Sequence, residues 1–282
     1  MNYSLGKKLY IDSCFEELEI FKPGNQNVFT NFSSSKILKF REAAKISSDI
    51  LCDKNLNLGE SIFFSSKKCF DQLGSNFNLG IILLCAPILK IFIKGESLNL
   101  RESLGLMLKN ITKKEGRLIL KAIKYSKPAG LKNYIGLGNV NSQDKYLNFN
   151  EVMKIGSRWD RISKCYTDSF SEIFDFGLPF YRKIKLHQCS NIAGINVFLS
   201  YLSNSTDSHL LRKFGSNKAK MIQRKAIKIK KLIGNKRKIN YEVLENFDRY
   251  LKNNNFNPGT CADLTVTTLL IDKIIDIVSN PI

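Results

Sequence analysis

Apolar residues in this chain recur every three or four positions along almost its whole length, and that spacing limits most of the backbone to helices. Tyr10, Cys14, Leu18 and Phe21 form one such row, and Ile37, Phe40, Ala44, Ser47 and Leu51 a second. No stretch alternates apolar and polar residues convincingly, no hairpin signal stands out, and no repeat of fixed period is evident. The chain has 282 residues, 43% of them hydrophobic, which is enough for a sizeable core. The expectation is an all-α, single multi-helix globular domain over 1–282, with functional loops at helix ends.

The punctuation between rows is equally helical. Lys22-Pro23-Gly24-Asn25 stops the opening helix. Gly59-Glu60 opens another, with Ile62, Cys69 and Leu73 facing inward and Gly74 closing it. Leu79 to Ile93 is the most apolar run, but it is short for a membrane span and holds Pro87 and Lys90, so it predicts a buried helix. Thr112 and Glu115 have capping-box spacing, and the helix they begin ends at Pro128-Ala129-Gly130. Residues 131–147 lack a helical period and predict a long ordered loop of the kind that often carries function. Val152, Ile155, Trp159, Ile162, Tyr166 and Phe170 make the best amphipathic row, before Gly177-Leu178-Pro179 ends that region. Residues 192–202 give a further helix, and His209 to Phe214 a short piece stopped by Gly215. Ile222, Ala226, Ile229 and Ile233 form a stripe flanked by basic residues. In the last helix, Pro258-Gly259 makes a turn, Thr260 and Asp263 have capping-box spacing, and Leu264, Thr267, Ile271, Ile275 and Val278 mark the buried face.

Charge and cysteine content narrow the setting without naming a ligand. The formal net charge of +19 suits a polyanion such as nucleic acid, a membrane surface or a nucleotide triphosphate. Lys, Asn and Ile are abundant throughout, which accounts for the charge equally well. Seven scattered cysteines, no C-x-x-C pair and no signal-peptide core predict reduced thiols, a cytoplasmic protein, no zinc site and no membrane anchor. The basic segment 224–238 has no base-stacking aromatics, so nucleic acid is not the expected partner.

Five polar stretches fall at helix ends: Lys22 to Asn25; Glu60 with Asn76 and Asn78; Arg158 with Asp160; Asp207 to Lys213; and Asn257 to Asp263. Each has an ordinary role as a stop, a cap or a one-turn ion pair such as Asp160 with Lys164. Their order along the chain says more. Lys22-Pro23-Gly24-Asn25 resembles K-P-G-N, and Asn76-Phe77-Asn78-Leu79-Gly80 resembles N-T-N-L-G. Pro128-Ala129-Gly130-Leu131 is similar to P-G-G-L, and Trp159-Asp160-Arg161-Ile162-Ser163-Lys164-Cys165-Tyr166 to R-D-x-I-A-x-Q-Y. Residues 207–215 are similar to D-T-H-I-A-R-K-H-G, and residues 257–264 to a C-terminal signature. These are the motifs of the triphosphoribosyl-dephospho-CoA synthases, which make the precursor of the citrate lyase and malonate decarboxylase prosthetic group. The N-x-N-L-G form and the following A-P-L run look closer to the branch associated with one-carbon pathways. After K-P-G-N that family usually shows a histidine and an aspartate-methionine pair, whereas residues 28–35 here hold neither acid nor histidine.

The resemblance implies transfer of the triphosphoribosyl group of ATP to the ribose 2′-hydroxyl of 3′-dephospho-CoA, with adenine leaving. Cleavage at an anomeric carbon passes through an oxocarbenium-like state. The site then needs cations for the triphosphate, a carboxylate for the acceptor proton and a donor for the leaving base. The resemblance nominates Asp160, Asp207, His209 and Asp263 as catalytic, and Glu60, Asp207 and Asp263 as ligands of Mg2+. For the nucleotide it nominates Lys22, Gly24, Asn25, Asn76, Asn78, Arg212, Lys213, Asn257, Gly259 and Thr260. ATP and dephospho-CoA, or a related acceptor, are the expected partners. The rival readings are a relative that uses ATP with another acceptor, and a non-catalytic basic helical protein that binds nucleic acid.

Overall fold

The computed structural model describes residues 2–29, 34–96, 99–131, 134, 136–140, 147–233 and 239–279, and within them every regular element is a helix. The first half contributes α1 (Asn2–Leu18), α2 (Ser34–Leu51), α3 (Leu58–Leu73), α4 (Leu79–Lys94), α5 (Leu100–Lys109) and α6 (Lys113–Ser126). The second half adds α7 (Phe149–Gly156), α8 (Arg161–Asp168), a π-helical segment Glu172–Gly177, α9 (Leu178–Lys185) and α10 (Ser190–Asn204). It ends with α11 (Ser208–Ile233), α12 (Tyr241–Asn253) and α13 (Gly259–Ser279). The expected all-α domain is what the chain forms, around one contiguous apolar core.

Two helices are central. α4 packs against α1, α2, α3, α5, α8 and α13, and its residues from Ile81 to Phe92 are all buried. Lys90 in that stretch donates to the Asp53 carbonyl at 2.6 Å, and burial pushes its pKa down to about 8. Pro87 lacks the N–H that would bond the Leu83 carbonyl one turn back. The Tyr166 hydroxyl from α8 supplies that missing donor at 2.7 Å. α13 packs against α1, α4, α9, α10 and α11. Its inward threonines return their hydroxyls to the helix: Thr265 donates to the Cys261 carbonyl at 2.8 Å and Thr267 to that of Asp263 at 2.9 Å. These two threonines thereby sit inside the core without an unmet donor. No helix among the described residues is long and apolar enough to cross a membrane.

Several sequence expectations change in detail. The row from Val152 to Phe170 is divided between α7 and α8 by a break at 157–160, which turns Asp160 into the N-cap of α8. Gly177 does not end the region, because the π-helical segment runs straight into α9. A Cβ at Gly177 would lie 1.6 Å from the Tyr201 hydroxyl, so only glycine fits there. The stop at Gly215 is real as a kink (φ 80°, ψ 170°), after which α11 resumes. The expected capping box at Thr112/Glu115 is complete, and Asn57 forms a second one with Glu60 that the sequence reading did not include. Of the expected loop 131–147 and the altered loop 28–35, residues 132–133, 135, 141–146 and 30–33 lie outside the described residues.

Candidate active site

The starts of α4, α8, α11 and α13 converge on one cavity of about 550 Å³, closed by the end of α1 and by residues 128–131, 134 and 137–140. Helix N-termini carry unpaired amides and a positive dipole end, which favour anionic groups. At α4 the Leu79 amide is met by Asn76 Oδ1 at 3.0 Å, while the amides of Gly80 and Ile81 donate to nothing among the described residues.

Asp263 supplies the carboxylate of this cavity. Its expected capping box with Thr260 does not form: α13 begins one residue earlier, and Thr260 Oγ1 instead accepts the His209 amide at 3.2 Å. The Asp263 carboxylate turns into the cavity and lies directly over Gly80, where a Cβ would come within 2.0 Å of Oδ2. It makes no hydrogen bond or salt bridge among the described residues. Burial holds its pKa well above the usual carboxylate range, and the charges of Asp207 and Glu17 add to the effect.

Arg212 and Asp160 form the cationic side. Asp160 Oδ1 caps α8 by accepting the Ser163 amide at 2.8 Å, while Oδ2 pairs with Arg212 and not with Lys164. The Arg212 guanidinium uses one amino group on that pair, and its Nε is buried without a partner among the described residues. Gly130 (φ 80°) lets the chain cross Arg212 closely, since a Cβ would meet its carbonyl oxygen at 2.5 Å. His209 lines the same cavity with Nδ1 over Gly259, where a Cβ would approach to 2.7 Å. Burial lowers the His209 pKa, so its ring is neutral at pH 7 and offers one N–H and one lone pair. Asn25 donates to Asn257 Oδ1 at 2.7 Å, tying the end of the α1 turn to the start of α13, and both line the cavity with Asn76, Gly259 and Thr260.

The remaining nominees lie elsewhere, for identifiable reasons. Lys22 is wholly buried: its ammonium donates to the Gln26 carbonyl at 2.8 Å and pairs with Glu17 Oε1 at 3.1 Å, so it cannot reach a phosphate. Burial pushes the Glu17 pKa up and the Lys22 pKa down, each opposed by its partner. Gly24 (φ 79°) is a packing glycine, with a Cβ excluded by the Phe256 carbonyl at 2.7 Å. Asn78 donates to the Ala43 carbonyl and Ser47 Oγ, both at 3.1 Å, and is a buried tie to α2. Lys213 is exposed over the Phe214 ring. The metal trio is not assembled either. Both oxygens of Asp207 are taken by the Leu210 and Cys261 amides at 3.0 and 2.8 Å, which locks the start of α11 to that of α13. Glu60 is committed to the α3 capping box. No group of three His, Cys, Asp or Glu among the described residues can hold a metal ion.

Sequence reasoning missed five contributors. Glu17 reaches the cavity wall from the α1 end, and Gly80 makes room for Asp263. Tyr134 and Trp159 line the cavity as an aromatic pair. Below the site, Arg161 holds Glu172 through two hydrogen bonds of 3.0 and 2.6 Å and donates to Cys261 Sγ at 3.1 Å, joining α8, the π segment and α13. The quoted motifs contain Gly80, Trp159 and Arg161, but only the fold tells which way each faces.

A free, half-buried carboxylate, a guanidinium with spare donors, a neutral imidazole and open helix amides around one cavity define a helical enzyme that handles anionic substrates. The sequence model of the CitG family, ATP:dephospho-CoA triphosphoribosyl transferase, matches residues 5–281. The chain belongs to that family and is a transferase that moves the triphosphoribosyl group of ATP to dephospho-CoA. A search of curated protein sequences gives no match. Among solved structures, a candidate triphosphoribosyl-dephospho-CoA synthase from Archaeoglobus fulgidus has the same fold. It superposes with a TM-score of 0.63 over 82% of this chain and 96% of its own, at 20% identity.

Proposed function

We propose that the cavity between α4, α8, α11 and α13 is where this transfer occurs, and that Asp263 takes the proton of the acceptor hydroxyl. The observation that carries the reading is the Asp263 carboxylate: half-buried, facing the cavity, and free of any hydrogen bond or ion pair among the described residues. A buried carboxylate with a raised pKa is a stronger base than one in water. As the 2′-oxygen of dephospho-CoA forms its bond to the anomeric carbon of ATP, its proton passes to Asp263. The bond from that carbon to the adenine nitrogen breaks with its electron pair on adenine, which is protonated as it leaves. Arg212 and the open amides of Gly80 and Ile81 face the triphosphate, and His209 offers its N–H to the leaving base.

The three nominated magnesium ligands do not fit an all-protein metal site, and no step is assigned to one. Magnesium generally keeps several waters and binds through substrate phosphates, so it belongs with the ATP. A cytoplasmic setting fits the seven free cysteines, six of them buried.

Asp263→Asn tests the assignment. The variant should bind ATP with an unchanged magnesium dependence while kcat falls at least a hundredfold, the lower range for general base catalysis. Full turnover in the variant would overturn the base assignment, and a shifted magnesium curve would make Asp263 a metal ligand instead. A second reading keeps ATP as donor and changes the acceptor, as the resemblance to the one-carbon branch suggests. It draws on the Phe40–Phe77 edge-to-face pair, 5.2 Å apart, which lends this cavity an apolar wall next to Asn76. Adenine release that requires an acceptor other than dephospho-CoA would favour it.

A further inference from the structure

Trp159 and Tyr134 have no role in the chemistry above, yet both rings line the cavity. Their centroids are 5.0 Å apart and their planes tilt by 43°, so the two rings neither stack fully nor meet edge to face. Each is held in place from behind. Trp159 directly precedes Asp160, whose carboxylate is fixed by the Ser163 amide and Arg212. The Tyr134 hydroxyl donates to the Leu137 carbonyl at 2.8 Å, and the Asn139 side chain donates to the Tyr134 carbonyl. Gly136 keeps the ring's place clear, since a Cβ there would stand 2.3 Å from the Tyr134 hydroxyl. The pair is thus pre-positioned, and a fixed aromatic surface loses little entropy on binding.

A flat π-face is what a nucleobase stacks on, whereas phosphate and ribose gain nothing from it. Where the R-D-x-I-A-x-Q-Y pattern has arginine, this chain has Trp159, so the aromatic surface is no part of the resemblance. The ion pair of Asp160 with Arg212 follows immediately, which sets a phosphate-binding cation beside the ring. Building on the reading of this cavity as the transfer site, we infer that Trp159 and Tyr134 form a purine-stacking subsite for adenine. Both substrates carry adenine, so the base held there is that of ATP or that of dephospho-CoA.

Trp159 is the only tryptophan in the chain, so intrinsic fluorescence reports on this ring alone. The wild-type protein is titrated separately with ATP, dephospho-CoA and inorganic tripolyphosphate, with calorimetry on the same samples. One adenine-bearing substrate should quench the emission at saturation while tripolyphosphate leaves it unchanged, and the quenching substrate identifies the base. Trp159→Ala should then raise KM for that substrate roughly tenfold to a hundredfold, the range measured for base–aromatic stacking. Its kcat and the KM of the other substrate should stay within about threefold, and Trp159→Phe should restore the lost KM. Equal quenching by tripolyphosphate would mean that Trp159 senses loop movement, and the inference fails. It fails also if both substrates bind by calorimetry with emission and KM unaltered in the respective experiments. If neither substrate binds by calorimetry, the transfer-site reading itself is overturned, and the purine subsite with it.

Discussion

Gly80→Ala isolates the position of the Asp263 carboxylate from its chemistry. A Cβ at residue 80 would lie 2.0 Å from Asp263 Oδ2, 2.5 Å from Cγ and 3.1 Å from Oδ1. Ordinary contact begins at 3.4 Å, so the nearer oxygen must retreat by about 1.4 Å. All three clashing atoms belong to the end of one side chain and none to backbone, so the carboxylate can swing away without separating α4 from α13. Alanine in a helix is favoured over glycine by up to about 1 kcal/mol, which offsets part of the strain. Thermal stability should therefore stay near wild type. A displacement of about 1 Å at a reacting group costs on the order of a hundredfold in rate. Steady-state kinetics that follow adenine release should show kcat down by about that factor, with KM for ATP little changed. Gly59→Ala is the contrast, because its Cβ would meet the Glu115 backbone at 2.5 Å where α3 packs on α6. That variant should lose about 1–3 kcal/mol of stability and keep its kcat per folded molecule. Wild-type kcat in a folded Gly80→Ala protein would refute the argument that the placement of Asp263 governs turnover.

Lys22→Ala should leave ATP affinity unchanged in the folded fraction and lower stability by about 3–5 kcal/mol, read by urea denaturation, because it strands the buried Glu17 charge. Asp207→Asn keeps one acceptor oxygen for two backbone amides and should cost about 1–3 kcal/mol by the same assay. Asp263 holds its proton more tightly folded than unfolded. It therefore contributes stability that is present below its ordinary value of 3.8 and is lost as pH rises through its raised folded value. Melting curves should show Asp263→Asn gaining on wild type across that interval, and the acid limb of wild-type kcat/KM should lie above the usual carboxylate range. Lys228 and Lys231 are exposed and lie outside the cavity, so changing both to Gln should not alter ATP binding by calorimetry.

Helix rows, glycine stops and the Thr112/Glu115 capping box were legible in the sequence because each depends on neighbours three or four residues away. The family was legible because motif order survives without a fold. The direction of each side chain was not. Lys22 looked like a loop cation, but the Pro23-Gly24 turn folds it under α1 onto carbonyls and Glu17. Asp207 and Asp263 look alike in sequence, since each stands at a helix start. The meeting of α11 and α13 gives Asp207 two amides to accept, and it leaves Asp263 none. The Thr260/Asp263 spacing fits a capping box, yet the His209 amide from α11 claims the threonine oxygen. For Asp207 and Thr260 a contact between distant parts of the chain overrode a local pattern, and for Lys22 the turn itself folded the side chain inward. Glu17 and Tyr134 carried no local signal at all, and the packing of α1 and the contacts of Tyr134 with Leu137 and Asn139 bring them to the cavity.

The central claim is that this cavity joins ATP to dephospho-CoA through Asp263. The most direct measurement is mass spectrometry of reactions containing pure protein, magnesium, ATP and dephospho-CoA, with free adenine quantified in parallel. Wild type should yield the triphosphoribosyl adduct and adenine in equal amounts. Asp263→Asn, folded and still binding ATP, should form both at least a hundredfold more slowly. Adduct formed by Asp263→Asn at the wild-type rate would contradict the claim.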